Sequence, residues 1–484
     1  MVMATISNCM LINGQLRSKA SGGSLELTEP ATEQIWNEVP AAGKREIDEA
    51  LEAAAKAFRK SNWSSANSGR RTEVLYCIAG LIREHAEQLA VLEARNVGKP
   101  IGDARWEINA GARCFEYYAG GISRFGGQTI PVASDGFDYT LHVPVGVVAA
   151  IVPWNFPFLM ACWKVAPALA TGNAVLLKPA SLTPLTALAL GQLAMEASVP
   201  NGILQVLPGR GGEIGDYLVS HSLVNKITLT GETSTGAHIV KLAADDIKRV
   251  SLELGGKNPN IIFADADVDA AARAAPMAVF ANTGQDCCAR SRVLVEKSAY
   301  SKFLDAFVEA TEALVVGDPL DESTQVGTMV SAKQREGVEE YIDIARKEGG
   351  HILCGGNRPK EPGYYLAPTI IEGLGSSARV CQEEIFGPVA CVIPFENEQE
   401  ALELANDTKY GLSGSLWTKD LERALRMARA VRTGVMSVNT NSSVYVEAPF
   451  GGFKRSGFGR DLGMEAMQLY TEVKNVFISV KDAD

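Results

Sequence analysis

From Leu141 onward the sequence alternates between short apolar runs and helical stretches, and that alternation leaves few architectures open. The runs are Val147–Val152, Ala174–Lys178, Leu204–Leu207, Lys226–Thr230 and Asn260–Phe263. They have the length and composition of strands. Helical patterns lie between them, as at Thr183–Ala197 and Ala237–Ala244. Strand–helix–strand repetition implies an α/β chain with a doubly wound, mostly parallel sheet. Such sheets place ligands at the carboxyl ends of their strands.

A second alternating stretch runs from Glu253 to about Lys454, with strands near Arg292–Val295, Val389–Pro394 and Gly434–Val438 and helices at Ser301–Thr311 and Glu398–Ala405. It reads as a second α/β domain. Glu46–Phe58 and Thr72–Val97 carry helical periodicity with alternating charge and read as surface helices on a sheet. Glu472–Val480 alternates like an exposed strand that needs an edge to pair with, and Gly126–Val143 reads as extended or hairpin-like. No short-period repeat or low-complexity linker appears. A length of 484 residues fits about three domains.

The formal net charge of −11 argues against nucleic acid as a partner. The longest apolar stretch, Phe156 to Leu177, is interrupted by Lys164, two prolines and Gly172, so it reads as buried core rather than a membrane span. Met1–Met10 lacks the basic-then-apolar order of a secretion signal. The nine cysteines show no paired zinc spacing, which fits reduced thiols in a cytoplasm. The five histidines do not cluster, so no metal is expected.

Three segments carry chemistry. Cys287, in Phe280-Ala-Asn-Thr-Gly-Gln-Asp-Cys-Cys-Ala289, offers a thiol that can add to a carbonyl. Glu253, in Leu252-Glu-Leu-Gly-Gly-Lys257, is a carboxylate at a strand end that can activate water. Asn155, in Val152-Pro-Trp-Asn-Phe-Pro157, lies between two stiffening prolines and can aim its amide at developing negative charge. Each has a bland alternative: a buried cysteine, a surface ion-pair partner, a turn-stabilising asparagine. Residue chemistry alone does not choose between Cys287 and its neighbour Cys288.

Other residues suit a nucleotide. Lys178 ends a buried strand, where an ammonium is costly unless it meets an acceptor. Gly231 and Gly236, in Thr228-Leu-Thr-Gly-Glu-Thr-Ser-Thr-Gly236, stand after a strand and before a helix, whose exposed N–H groups can bind pyrophosphate. Glu232 there would repel pyrophosphate unless it points away. Pro208-Gly-Arg-Gly-Gly-Glu-Ile-Gly215 reads as a tight strand-to-helix turn. Glu384, in Gln382-Glu-Glu-Ile-Phe-Gly-Pro388, can accept two hydroxyl hydrogen bonds, or simply form a capped turn.

Taken together, from about Ile35 to Val480, these motifs resemble the NAD(P)-dependent aldehyde dehydrogenase superfamily. The resemblance implies a Rossmann-type cofactor domain (1–122 and 144–253), a catalytic domain (254–455) and a small β element for oligomerisation (123–143 and 456–484), hence a homodimer or homotetramer. It implies oxidation of a small-molecule aldehyde to its acid by way of a cysteine thiohemiacetal. The nucleophile would be Cys287, matching the pattern Gly284-Gln-Asp-Cys287. Glu253 would be the base for thioester hydrolysis, and Asn155 with the Cys287 N–H the oxyanion contacts. Pro153, Trp154, Lys178, Ser181, Arg210, Gly211, Gly231, Glu232, Gly236, Leu254, Glu384 and Phe386 would meet the cofactor. Relatives selective for NAD often carry Glu where this chain has Ser181, and Arg210 is placed to reach a 2′-phosphate. Both NAD and NADP are therefore expected to work. Phe156, Met160, Trp163 and Phe450 would line the substrate tunnel, and Pro449-Phe-Gly-Gly-Phe-Lys-Arg-Ser-Gly457 would stand at its mouth. Asp286, with Glu107 shortly before Cys114-Phe-Glu-Tyr-Tyr118, points to an ω-amino or betaine aldehyde. The bland alternative is a surface Glu107 and an Asp286 that is only polar lining. A cofactor-independent thiol esterase and a non-catalytic protein of the same fold are the other readings. The presumed ribose contacts argue against the first, and the intact Cys287–Glu253–Asn155 set against the second.

Overall fold

A computed structural model describes residues 7–442 and 444–480. The outermost residues of the expected first and last segments, 1–6 and 481–484, lie outside the described residues, as does part of Met1–Met10. In spatial order the largest sheet runs Gly457–Phe458, Arg249–Glu253, Lys226–Thr230, Val147–Ile151, Ala174–Lys178, Leu204–Val206, Met10–Ile12, Gln15–Arg17. Its five central strands are parallel, and the other pairings are antiparallel. The chain leaves Val147–Ile151 in one direction through Ala174–Lys178 and returns on the other side through Lys226–Thr230. That reversal is a topological switch point, and the crevice it opens lies beyond the carboxyl ends of these strands.

A second sheet of seven strands is centred on Arg292–Glu296, with Pro259–Ile262 and Val389–Phe395 on its two sides. Glu472–Val480 was expected to be an exposed strand; the strand Thr471–Ser479 pairs antiparallel with Gly136–Pro144 along its whole length, and Thr129–Ile130 completes a three-stranded sheet.

Three local readings need correction. Thr72–Val97 is two helices, Ser68–Glu84 and Ala86–Val97, broken at His85, which leaves helical geometry. The helix Ile101–Gly121 was not anticipated. Residues 456–470 belong with the first sheet rather than the terminal strand: Gly457–Phe458 pairs with Arg249–Glu253, and Ala466, Met467 and Tyr470 sit in its core. Burial of these apolar side chains outweighs their proximity in sequence to the exposed strand.

The apolar stretch after Asn155 folds as the helix Pro157–Ala170, buried along its entire length, followed by the strand Ala174–Lys178. The cost of burying Lys164 is met by Asp461, whose Oδ2 lies 2.8 Å from Nζ. Among the described residues no helix is long and apolar enough to cross a membrane.

Candidate active site

The loop that carries Cys287 is positioned by unusual backbone. Asn282, Thr283 and Gly284 have φ of 50°, 58° and 68°. Left-handed conformation costs ordinary residues roughly 1–2 kcal/mol each, so the surroundings must hold it. They do: Asn282 Nδ2 donates to the Asn155 carbonyl at 3.0 Å, and the Gln285 side chain accepts from Val330 N–H at 2.9 Å. At Gly284 a Cβ would collide with the Gly387 carbonyl, so glycine lets the loop press against the segment that carries Glu384. A turn then closes through Ala289 N–H to Asp286 O at 3.0 Å, with Cys287 and Cys288 as its central residues.

The turn distinguishes the two cysteines. Cys288 donates its backbone N–H to Asp286 Oδ1 at 2.8 Å and is 5% exposed. Cys287 is half-buried, and its N–H has no acceptor among the described residues. Its carbonyl is pinned by Asn258 Nδ2 at 2.7 Å. Only Cys287 pairs a thiol in the cavity with a free donor beside it. A hydrogen bond with the Cys288 thiol, then burial, holds the Cys287 thiol well above the usual cysteine range, so it rests protonated.

Asn155 ends the loop after the switch-point strand Val147–Ile151. Its carbonyl receives Lys99 Nζ at 2.7 Å as well as Asn282, and its Nδ2 donates to Gln285 O at 2.9 Å. The second Nδ2–H has no acceptor among the described residues. Glu253 ends the strand Arg249–Glu253. It is 5% exposed, and its Oε2 has no hydrogen-bond partner. Burial first, then the nearby Asp461 carboxylate, pushes its pKa well above the ordinary value, against the pull of Lys164 and Arg460.

These groups line one cavity of about 930 Å³. Pro153, Trp154, Gly231, Glu232, Leu254, Glu384 and Phe386 line it too, as do Phe156, Met160, Trp163, Asp286 and Phe450. Trp154 meets Phe386 edge-on at 5.2 Å, and Trp163 meets Phe450 at the same distance. Glu384 accepts from Gly256 N–H at 2.9 Å, and its pKa is raised to about 7, chiefly by burial. A Cβ at Gly255 would push that carboxylate from its place.

Lys178, Ser181, Arg210, Gly211 and Gly236 do not line the cavity. Lys178 is buried, its Nζ has only the Pro179 carbonyl, at 3.3 Å, as a partner among the described residues, and burial lowers its pKa to about 8. Ser181 is half-buried. Arg210 donates to the Ser24 carbonyl at 3.0 Å and the Gly22 carbonyl at 3.5 Å, which ties it to the N-terminal segment. Gly211 opens the helix that follows it. The glycines of the Thr230–Gly236 turn are not its free donors: Gly231 N–H goes to Glu253 O and Gly236 N–H to Glu232 O, and a Cβ on Gly236 would clash with Leu254. The unsatisfied N–H groups belong to the first turn of the helix Thr233–Ala243. Glu232 is exposed and accepts from Ser234 Oγ at 2.7 Å.

For Glu107 it is the bland alternative, a surface residue, that fails. Far from the surface, it is fully buried and paired with Lys99, the residue that holds the Asn155 carbonyl. Its second oxygen is buried with no hydrogen-bond partner among the described residues, and Glu107 lines the cavity. Sequence reasoning missed Asp103, one helical turn earlier, whose buried Oδ2 is likewise unpartnered in the cavity wall. The signal was the spacing Asp103–Glu107, which places both on one helix face. It also missed the Lys164–Asp461 pair behind Glu253, signalled by a lone lysine inside an apolar helix.

Comparisons with known proteins agree with this geometry. The model of the aldehyde dehydrogenase family matches residues 17–476. Betaine aldehyde dehydrogenase 1 of Oryza sativa subsp. japonica is 42% identical over 96% of this chain and 94% of its own length. Retinaldehyde dehydrogenase 3 of Homo sapiens is 42% identical over 98% and 93%. The structure of P. syringae AldA, an indole-3-acetaldehyde dehydrogenase in complex with NAD+ and IAA, superimposes with a TM-score of 0.97, at 40% identity over 99% of this chain and 98% of that one. A thiol with a free N–H, an unpaired buried carboxyl and a braced amide, set in one cavity under that match, have a single explanation: the chain belongs to the aldehyde dehydrogenase family.

Proposed function

We propose that the protein oxidises an aldehyde to its carboxylic acid with NAD, Cys287 as nucleophile, Asn155 as oxyanion donor and Glu253 as base. The observation that carries this is the convergence of three unengaged groups in one cavity: the Cys287 N–H, the second Asn155 N–H and Glu253 Oε2. The Cys287 thiol gives its proton to water in the cavity as its sulfur adds to the aldehyde carbon. The Asn155 Nδ2 and the Cys287 N–H hold the oxygen as it becomes negative, and such donors act strongly because the site excludes water. Bound NAD would supply the hydride acceptor for that carbon, and Cys287 would then carry the acyl group as a thioester. Glu253 accepts a proton from the water that opens the thioester, and a raised pKa suits a base working near neutrality.

The residues present fit the cofactor. Lys178 is a buried ammonium short of acceptors, which ribose hydroxyls supply. The first turn of Thr233–Ala243 offers N–H groups to pyrophosphate, and the Glu232 carboxylate is drawn to Ser234. Glu384 is placed to accept ribose hydroxyls. Ser181 puts no carboxylate against a 2′-phosphate, so NADP is accepted as well.

Substrates carrying a cationic amine suit the cavity best. Two unpartnered carboxylate oxygens, Asp103 Oδ2 and Glu107 Oε2, stand with Trp106, Trp163, Phe156 and Phe450 in its wall. Aromatic faces and acids together stabilise ammonium groups. Exposed Phe137, Leu141, Val473, Phe477 and Ile478 on the three-stranded sheet support a homodimer or homotetramer, and nine free cysteines suit a cytoplasm. The test is reduction of NAD+ and, separately, NADP+ with aliphatic, aromatic, carboxylated and amino aldehydes. Turnover highest with amino aldehydes supports the whole reading. A flat profile removes the amine assignment alone, and no turnover with any aldehyde removes the catalytic one.

A further inference from the structure

Asp286, Cys287 and Cys288 bring one carboxylate oxygen and two sulfurs within 4.8 Å of one another, at the wall of an open cavity. The mechanism uses only one of these three side chains. Their convergence follows from the turn that ends at Ala289, and the turn is held from outside. Asn258 Nδ2 fixes the Cys287 carbonyl at 2.7 Å, an Arg290 N–H fixes the Cys288 carbonyl at 2.9 Å, and Cys288 N–H fixes Asp286 Oδ1 at 2.8 Å. Donors held this way lose little freedom when they bind.

We propose that Asp286, Cys287 and Cys288 form a binding site for a thiophilic divalent cation of the zinc class, and that its occupation reversibly inhibits the enzyme. Zinc takes sulfur at about 2.3 Å and carboxylate oxygen at about 2.0–2.2 Å in a tetrahedron, so its ligand atoms stand roughly 3.3–3.8 Å apart. A change of side-chain torsion closes the present spacing to that value. Water from the cavity supplies the fourth ligand. The binding step releases both thiol protons to solvent and forms two zinc–sulfur bonds and one zinc–oxygen bond, with no change of oxidation state. Asp103 and Glu107 in the same wall favour entry of a cation, and Lys99 opposes it. Thiolate ligands select zinc-class ions over magnesium or calcium, which prefer oxygen alone. Inhibition follows because the Cys287 sulfur is no longer free to attack; binding itself does not depend on the catalytic assignment.

The experiment uses the full-length protein and zinc chloride. Bound zinc per chain is measured by equilibrium dialysis and elemental analysis, with and without a chelator, for the wild-type chain, Cys288→Ser and Asp286→Asn. One ion per wild-type chain is expected, removable by chelator. Loss of even an outer partner weakens metal sites about 10–100-fold, so each variant should bind at least about tenfold more weakly. In the wild-type chain, zinc should also slow iodoacetamide alkylation of Cys287 and Cys288 at peptide level and leave exposed Cys77 unprotected. Wild-type zinc affinity in both variants, no bound zinc, or unchanged alkylation of Cys287 would each overturn the proposal. Zinc binding without aldehyde turnover would sustain it and sink the catalytic reading instead.

Discussion

Replacing Glu253 by glutamine removes a proton acceptor and keeps the shape of the side chain. In the folded protein this carboxyl is buried, one oxygen lacks a partner, and burial with Asp461 nearby disfavours its charge. Glutamine therefore inherits a site already adapted to a neutral group, and the fold should tolerate it. The chemical loss falls on one step. A positioned general base contributes about 10²–10⁴-fold, so thioester hydrolysis, and with it steady-state kcat, should fall by that factor. Addition and hydride transfer rely on Cys287 and Asn155 and should persist. Stopped-flow absorbance would then show a burst of one NADH per active site followed by a near-stall, and denaturation at that point would trap acyl groups on Cys287.

The same variant carries a stability prediction with a definite sign. An acid whose folded pKa is raised binds its proton more tightly when folded, so its favourable contribution is present below the unfolded pKa and is lost as pH rises toward the folded one. Glutamine cannot lose a proton. The variant should thus gain stability relative to the wild type as pH is raised from 5 to 8, read from urea midpoints. A wild-type-like steady state would refute Glu253 as the hydrolytic base. A burst that disappears together with turnover would show that Glu253 acts before hydride transfer, and the step assignment would be wrong.

Other outcomes follow from the same geometry. Lys99→Met strips the partner from fully buried Glu107 and the brace from the Asn155 carbonyl, and should cost about 3–5 kcal/mol in denaturant unfolding. Asn155→Ala removes one oxyanion donor and should lower kcat by about 10²–10³-fold with little change in NAD affinity. Ser181→Glu should depress NADP turnover at least about tenfold through charge repulsion while sparing NAD, since a close charge contact of about 1.4 kcal/mol already gives that factor. Glu384 titrates near pH 7, so NAD affinity by fluorescence titration should weaken as pH falls from 8 to 6, where the protonated acid can no longer accept from two ribose hydroxyls.

The local elements of the fold were legible because each advertises its own period. The strands Ala174–Lys178 and Lys226–Thr230 appear where the apolar runs stand, residue for residue. What the pattern hid was long-range. Nothing in Gly457–Phe458 announces that two residues will pair with Arg249–Glu253, because the pairing is decided by apolar residues between Ala466 and Tyr470 that pack under the first sheet. Arg210 illustrates the same limit at the site. An arginine near a glycine-rich turn shows no partner along the chain, and only the fold reveals that Arg210 bonds the carbonyls of Gly22 and Ser24, nearly two hundred residues away.

The site itself is a junction, and that explains which of its parts a sequence can disclose. Asn155, Glu253 and the Thr233–Ala243 helix follow strands of the first sheet, at their carboxyl ends; Cys287 and Glu384 precede strands of the second, at their amino ends. Groups that do chemistry must be particular residue types, so each half betrays itself through a short motif. The groups that hold the halves together need only complementary charge or shape. Lys99 braces Asn155 from a segment with no motif, and Lys164 meets Asp461 across 297 positions of sequence. These pairs are buried, so removing one partner strands the other at a cost of several kcal/mol, whereas exposed ion pairs such as Arg83–Glu116 contribute little. The residues that fix the geometry of catalysis here are therefore those whose identity is least visible along the chain, and a lone charge inside an apolar run, as at Lys164, is the one mark they leave.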